Sequence, residues 1–399
     1  MDEFENMTIK TLTFFSNYFN HHQKALCDEW FKLLGEGFTF VQTMPMEAFR
    51  ANMGWGENIP SYVLMSYESE ENEKKARMLA DESDLVVFGT APEYYIKPRL
   101  KMGRIVFRYS ERPLKEGFIK FFIPRLTKKY IDMHVSNREK NIHILGASAF
   151  TSLDYKKMFN SYPDKCYKFG YFPEHMEYDI DELIERKNEL AKNAGAVTIL
   201  WEGRLLKLKR CDLLVTALNN LNKAGYDFRA TIVGEGEEKQ RLIKMANDFG
   251  ISDKITFMDF LSPKDARIKM SEAQIYVMTS NFWEGWGSVI YEGLNAGCAT
   301  IASHACGATP FLVKDHETGL VFRSGSATSL TEKLKEFIDN KELREKCQKN
   351  AYNQMHTLWN PEIAAKRVIE LAIAIEEGKG CPFEDGPCSK AEFVKNNWM

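Results

Sequence analysis

From residue 197 to residue 303 short apolar segments alternate with amphipathic ones, and this alternation constrains the fold more than any other feature of the chain. Residues 197–201 read as a buried strand, residues 212–224 place Leu213, Leu214, Leu218 and Leu221 on one helical face, and residues 228–233 are again a strand. A helix over 237–249 closes at Gly250. Strands at 255–257, 274–279 and 300–303 then alternate with helices at 263–271 and 288–296. Fully apolar strands separated by helices predict a parallel sheet covered on both faces.

The first half repeats the theme less regularly, with strands expected at 11–15, 38–42, 84–88, 104–108 and 143–146 and a helix near 23–34. At 399 residues the chain has room for two or three domains. The division expected is an amino-terminal Rossmann-like domain over 1–185, a second over 186–358, and a carboxyl-terminal helix with an irregular tail over 359–399. The acidic, helix-prone stretch 174–192 lies between the two units and reads as the linker. Two doubly wound α/β domains would each present the carboxyl ends of their strands to a central cleft, where ligands of such sheets bind.

Composition removes several classes. The 27 Phe, 16 Tyr and 7 Trp supply cores that a disordered chain lacks. A net charge of −3 offers no overall cationic field for nucleic acid. No window approaches the ~20 apolar residues of a membrane span. The acidic start, Met1 to Met7, is unlike a signal peptide, so a cytoplasmic protein is expected. The eight cysteines include no Cys-x-x-Cys pair and read as free thiols, with Cys381 and Cys388 in the tail as the one pair that a bridge or metal would suit.

The densest chemical signal runs from Asn281 to Gly297. It follows a strand, carries Glu284, Gly285, Trp286 and Gly287 on a loop, and opens a helix at Ser288 with Glu292 one turn inside. The N–H groups of Gly287, Ser288 and Val289 would face an anion such as a diphosphate. Carboxylates beside it would accept hydrogen bonds from sugar or ribose hydroxyls. The spacing alone fits a loop glutamate and a surface helical one equally well. Upstream, Gly203, Arg204 and Lys209 lie on the loop after the 197–201 strand, a fork and a point charge for pyrophosphate or an exposed basic loop. Gly234 and Gly236 mark a tight turn after the next strand.

Gly203-Arg204, Lys209, the Asp212 to Leu214 run, Ile232 to Gly236, Glu284 to Gly287, Glu292 to Gly297 and Glu317 to Leu320 together resemble the carboxyl half of a glycosyltransferase of family 4. The likeness covers about residues 197–345 in order and spacing, including the Glu, seven residues, Glu pattern. It implies a retaining enzyme with the two-domain GT-B fold, whose last helix crosses back to the amino-terminal domain. It also implies a nucleotide-sugar donor and a saccharide or lipid-linked acceptor in surface polysaccharide, lipopolysaccharide or glycolipid synthesis. No metal and no other cofactor is implied. Arg204 and Lys209 would neutralise the diphosphate. Glu284 would hold hydroxyls of the transferred sugar and Glu292 the ribose. Gly234 and the backbone from Gly285 through Trp286 and Gly287 to Ser288 would line the donor.

The amino-terminal half departs from the family pattern. Its first loop has Asn17, Asn20, His21 and His22 where relatives carry glycines, and these face the acceptor or merely cap a helix. Glu111 and Arg112 stand where relatives carry a cleft histidine, as groups at the reacting centre or as an ion pair fixing the loop. Residues 97–130 hold 11 Lys or Arg against 2 Glu, a local +9. Within it 114–129 mixes apolar and basic residues as an interfacial helix on anionic membrane would, or as a core stripe with a solvated basic face. Asp179 and Asp181 read as a helix cap rather than a metal pair. An epimerase, a phosphorylase and a non-catalytic nucleotide-sugar-binding scaffold are the competing readings. A scaffold has no use for Arg204, Lys209, Glu284 and Glu292 together.

Overall fold

The computed structural model describes residues 9–47 and 59–399. The chain forms two compact units, Met1–Glu174 with Trp359–Lys395, and His175–Leu358 with Asn396–Met399.

The first unit contains β1 (Leu12–Ser16), β2 (Phe38–Gln42), β3 (Val63–Met65), β4 (Leu85–Phe88), β5 (Val106–Ser110), β6 (Ile142–Gly146) and β7 (Cys166–Lys168). These form one sheet in the order β3-β2-β1-β4-β5-β6-β7, every pair parallel. β1 and β4 are buried along their whole length, as strands covered on both faces must be. On one face Phe15, Val86, Phe88, Val106 and Ile144 pack with Ala76, Ala80 and Tyr155. On the other, Phe14 meets Trp30 and Phe40 edge-on. The indole of Trp30, on the helix His21–Leu34, donates to the Ala365 carbonyl of Pro361–Glu376 at 3.1 Å. The last segment also covers the sheet edge. Lys168 of β7 exchanges backbone hydrogen bonds with Cys388 and Ser389, each 2.7 Å.

The second unit contains β8 (Val197–Glu202), β9 (Phe228–Val233), β10 (Ile255–Met258), β11 (Ile275–Met278), β12 (Ala299–Ser303) and β13 (Leu320–Phe322), again all parallel, in the order β10-β9-β8-β11-β12-β13. Strand alternation divides it cleanly. Ile199, Trp201, Ile275 and Val277 enter one core with Leu214 and Leu218, while Leu200 and Tyr276 face the opposite side. The chain builds outward from β8 to β10, then returns to β11 on the other side. The switch point therefore lies between β8 and β11.

Two local expectations change. The stretch 174–192 is not a linker: Ile180–Asn193 is a helix of the second unit, burying Leu183, Ile184 and Ala191 beneath an acidic outer face, and the units divide at Glu174. Asp179 accepts from the N–H groups of Asp181 and Glu182, a cap at the helix start. Residues 114–129 are not one helix. A 3₁₀ turn, Phe118–Phe122, is separated from the helix Pro124–Met133 at Pro124, which has no N–H to continue it. All eight cysteines are free, Cys381 and Cys388 included.

Candidate active site

The loops leaving β8, β9 and β11 are tied to one another by their backbones. Gly203 lies at φ 154°, and its N–H donates to the Val233 carbonyl at 3.1 Å, while the Leu205 N–H donates to Glu235 at 2.7 Å. A Cβ at Gly234 would stand 2.0 Å from the Gly203 oxygen and one at Gly236 2.3 Å from that of Leu205, so glycine is obligatory at this junction. Across the switch point, Thr279 is fully buried. Its hydroxyl accepts from the Trp201 indole at 2.9 Å and donates to the Lys209 carbonyl at 2.6 Å. The Asn281 N–H adds a bond to Leu208 O at 3.0 Å.

This framework sets two side chains face to face. Lys209 Nζ lies 2.5 Å from Glu284 Oε2, which also accepts from the Ser280 hydroxyl at 2.9 Å. Both charged groups are mostly covered, 13% and 14% exposed, so the pair is stronger than a surface ion pair. Gly287, at φ 91°, turns the chain into the helix Ser288–Asn295, whose first turn has no side-chain cap. Arg204 is exposed on the neighbouring loop. Ammonium, guanidinium and helix N-terminus thus gather at the carboxyl edge of the central strands, a setting for a phosphorylated ligand.

Residues 184–354 match the family model described as glycosyl transferases group 1. The match covers most of the second unit, which is therefore similar to a group 1 glycosyltransferase domain. Among curated relatives, the α-D-kanosaminyltransferase of Streptomyces kanamyceticus is 25% identical over 191 residues, 47% of this chain and 49% of that one. The lipopolysaccharide core biosynthesis glycosyltransferase LpsE of Rhizobium meliloti is 24% identical over 178 residues, 45% and 50%. The chain spans about half the length of the curated relatives it matches. Among solved structures, HepE of Anabaena in complex with UDP superposes with a TM-score of 0.67 at 16% identity, covering 92% of this chain and 99% of that one. WaaG, a glycosyltransferase involved in lipopolysaccharide biosynthesis, superposes at 0.59 and 15% identity, covering 89% and 98%. These likenesses show the fold, GT-B, as the sequence resemblance implies.

Within the second unit the side chain of Trp286 turns inward. Its ring is 1% exposed and packs against Phe311, so only its backbone is left to line a ligand, while Trp283 projects from the loop at 59% exposure. Glu292 sits beneath the same helix start, its carboxyl pushed up to about 7 by burial, with Arg267 opposing the shift. Glu202, at the end of β8, is pushed to about 8 by burial and by Glu292. Sequence reasoning missed Thr279, Ser280, Arg267 and Glu202. Only Glu202 left a signal, a charge closing an otherwise apolar strand.

In the first unit, Asn20 caps the helix His21–Leu34 by accepting from the His22 N–H at 3.0 Å. Asn17 accepts from Ser16 Oγ at 3.2 Å. The rings of His21 and His22 lie 3.9 Å apart, tilted by 47°, and His22 lies 6.1 Å from the Tyr171 ring. Tyr171 donates to Glu111 at 3.1 Å, so the tyrosine gathers Glu111 and His22 at the carboxyl ends of β5 and β1. Arg112 does not join them. It is buried, forks onto both Asp154 oxygens at 3.1 Å and lies 4.8 Å over the Phe150 ring, a brace for the loop rather than a group at a reacting centre. Among the described residues no group of His, Cys, Asp and Glu is arranged to hold a metal ion, and no helix is long and apolar enough to cross a membrane.

Proposed function

We propose that the protein is a retaining glycosyltransferase of family 4, moving a sugar from a nucleoside-diphosphate donor to a hydroxyl of a saccharide or lipid-linked acceptor. The observation that carries this reading is the Lys209–Glu284 pair beside the uncapped start of the helix Ser288–Asn295, at the switch point of the unit that matches the group 1 model. Arg204, Lys209 and the helix N-terminus stabilise the departing diphosphate, and no metal is needed for that charge. Glu284 orients the sugar through its hydroxyls, and Glu292 takes the ribose. Gly203, Gly234, Gly285, Gly287 and Ser288 let backbone approach the donor. The acceptor is the task of the first unit, through Glu111 and Tyr171 with His21, His22 and Asn17. Relatives named for lipopolysaccharide core synthesis and for phosphatidylinositol monomannoside mannosylation favour an acceptor in surface glycan or glycolipid synthesis.

The same reading places the first unit on anionic membrane. Phe118, Ile119, Phe122 and Ile123 are all exposed, Phe122 at 81%, and Arg125, Lys128 and Lys129 stand exposed on the next turns. Apolar side chains that dip beneath the headgroups, ringed by cations, fit a peripheral contact.

A thermal-shift panel of UDP-, GDP-, ADP- and CDP-sugars is the first test, since a donor at 100 times its Kd stabilises the fold by about 2.7 kcal/mol. The stabilising donor is then incubated with acceptor glycans. Free nucleoside diphosphate plus an α- or β-linked product of unchanged anomeric configuration supports the reading. An isomerised donor, or no stabilisation by any of the four, overturns it.

A further inference from the structure

A cavity of about 530 Å³ opens in the first unit where β2 and β3 end, walled by the start of the helix Glu70–Glu82. Its deepest groups are polar. Ser66, the residue after β3, is buried with its hydroxyl 3.0 Å from the Tyr95 phenol, which donates to the Glu73 carboxylate. Two tyrosine rings line the same cavity and face solvent: Tyr67, just past β3, is 41% exposed, and Tyr94, on the 3₁₀ turn Glu93–Tyr95, is 43% exposed. Both are anchored. Gln42 of β2 donates to the Tyr67 hydroxyl at 3.0 Å, and the Arg77 guanidinium lies 4.6 Å over the Tyr94 ring while it pairs with Glu73 at 2.8 Å. A ring fixed in water gives up rotamer freedom and gains no burial in return, unless a ligand covers it.

We propose that this cavity is a distal acceptor subsite, which holds an uncharged sugar ring of an oligosaccharide whose reacting end lies at Glu111 and His22. The proposal rests on the acceptor role given above to the first unit and adds the class of acceptor, a neutral glycan of two or more sugars. The tyrosine rings take the C–H faces of the sugar, as amphipathic aromatics do, and Glu70 and Lys74 take its hydroxyls. Charge excludes a phosphorylated headgroup here. Glu70 and Glu73 offset Lys74 and Arg77, so no excess of cations awaits an anion. Position links the cavity to the acceptor candidates. The Gln42 amide that holds Tyr67 also accepts from the Phe19 N–H at 3.1 Å, in the loop of Asn17 and Asn20, and the Thr43 hydroxyl at the cavity donates to Ser16 O at 3.0 Å. β3 stands two strands from β1, about 10 Å, which two linked sugar rings span.

The test is binding of the full chain, without donor, to a printed glycan array. It carries neutral oligomers of glucose, galactose, mannose and N-acetylglucosamine, from single sugars to hexasaccharides, beside sialylated, sulfated and phosphorylated glycans. The expected result is retention on neutral chains of two or more sugars and not on single sugars. Tyr67→Ala and Tyr94→Ala each weaken retention by about tenfold, the worth of one lost ring contact. Tyr67→Phe and Tyr94→Phe keep the ring and keep most of the retention. Wild type that retains no neutral chain, or that prefers the anionic glycans, overturns the proposal. So does unchanged retention in both alanine variants, or a loss as severe in the phenylalanine variants as in the alanine ones. The array holds no nucleotide, so its result is separate from that of the donor panel. Neutral chains retained by a protein that no sugar nucleotide stabilises would overturn the transfer reading and not the glycan site.

Discussion

Lys209 and Glu284 come from loops 75 residues apart and hold each other at 2.5 Å, closing the gap between β8 and β11. The pair gives each group a partner and a fixed position, and removing either strands the other in a mostly covered site. Lys209→Ala and Glu284→Ala are each expected to lower kcat by about 10²–10³ with far-ultraviolet circular dichroism unchanged. The double variant is expected to lose little more than either alone, because the two act as one unit. Near-normal turnover in both single variants would remove them from the chemistry.

Thr279 carries a structural task that supports this pair. Its single hydroxyl serves the buried Trp201 indole and the part-buried Lys209 carbonyl. Thr279→Val keeps the shape and leaves those two groups unsatisfied, at a cost of about 1–3 kcal/mol. A melting temperature lower by several degrees is the expected readout, together with a KM for donor that rises more than kcat falls. A variant with unchanged melting and kinetics would mean that the loops hold their register without it.

The donor half of the protein was legible because its signals are local. Apolar strands, amphipathic helices and glycine turns each follow from neighbouring residues, and β8, β9, β11 and the helix Ser288–Asn295 lie where periodicity places them. What stayed hidden depends on distant partners. Arg112 reads as a candidate reacting group until Asp154, 42 residues on, takes both sides of its fork. Tyr171, which gathers Glu111 and His22, stands 60 residues from one and far from the other, with nothing local to mark it. The helix Ile180–Asn193 passed for a linker because only Leu183, Ile184, Lys187 and Ala191 face inward. Its buried Lys187 finds the carbonyls of Met270 and Ala273 at 2.6 and 2.7 Å. β3, β7 and β13 are three residues each, too short for alternation to show.

The exposed ridge at 118–123 makes a physical prediction about membranes. Liposome flotation at low and moderate salt is expected to recover the protein with anionic vesicles and not with neutral ones. Ile119→Asp with Phe122→Asp removes the apolar insertion and is expected to abolish flotation at moderate salt. Lys128→Glu with Lys129→Glu is expected to weaken it at both salt levels, each lysine contributing about 1 kcal/mol. Absence of flotation of the wild type under both conditions would discard the contact.

Stability against pH reads the Glu202 carboxyl without any ligand. Its ordinary value is 4.5, and in the folded protein it is held at about 8. Between those values the folded chain binds more protons than the unfolded one, so this group's contribution is fully present below about pH 4.5 and is lost as pH rises through about 8. Glu292, held at about 7, adds to the same trend over a narrower window. Glutamine cannot ionise, and Glu202→Gln is therefore expected to melt near the wild-type temperature around pH 5 and above it around pH 8.5. The difference between the two proteins should grow steadily across the interval. A constant offset at every pH would show that Glu202 is ionised throughout, with Arg267 as its counter-ion.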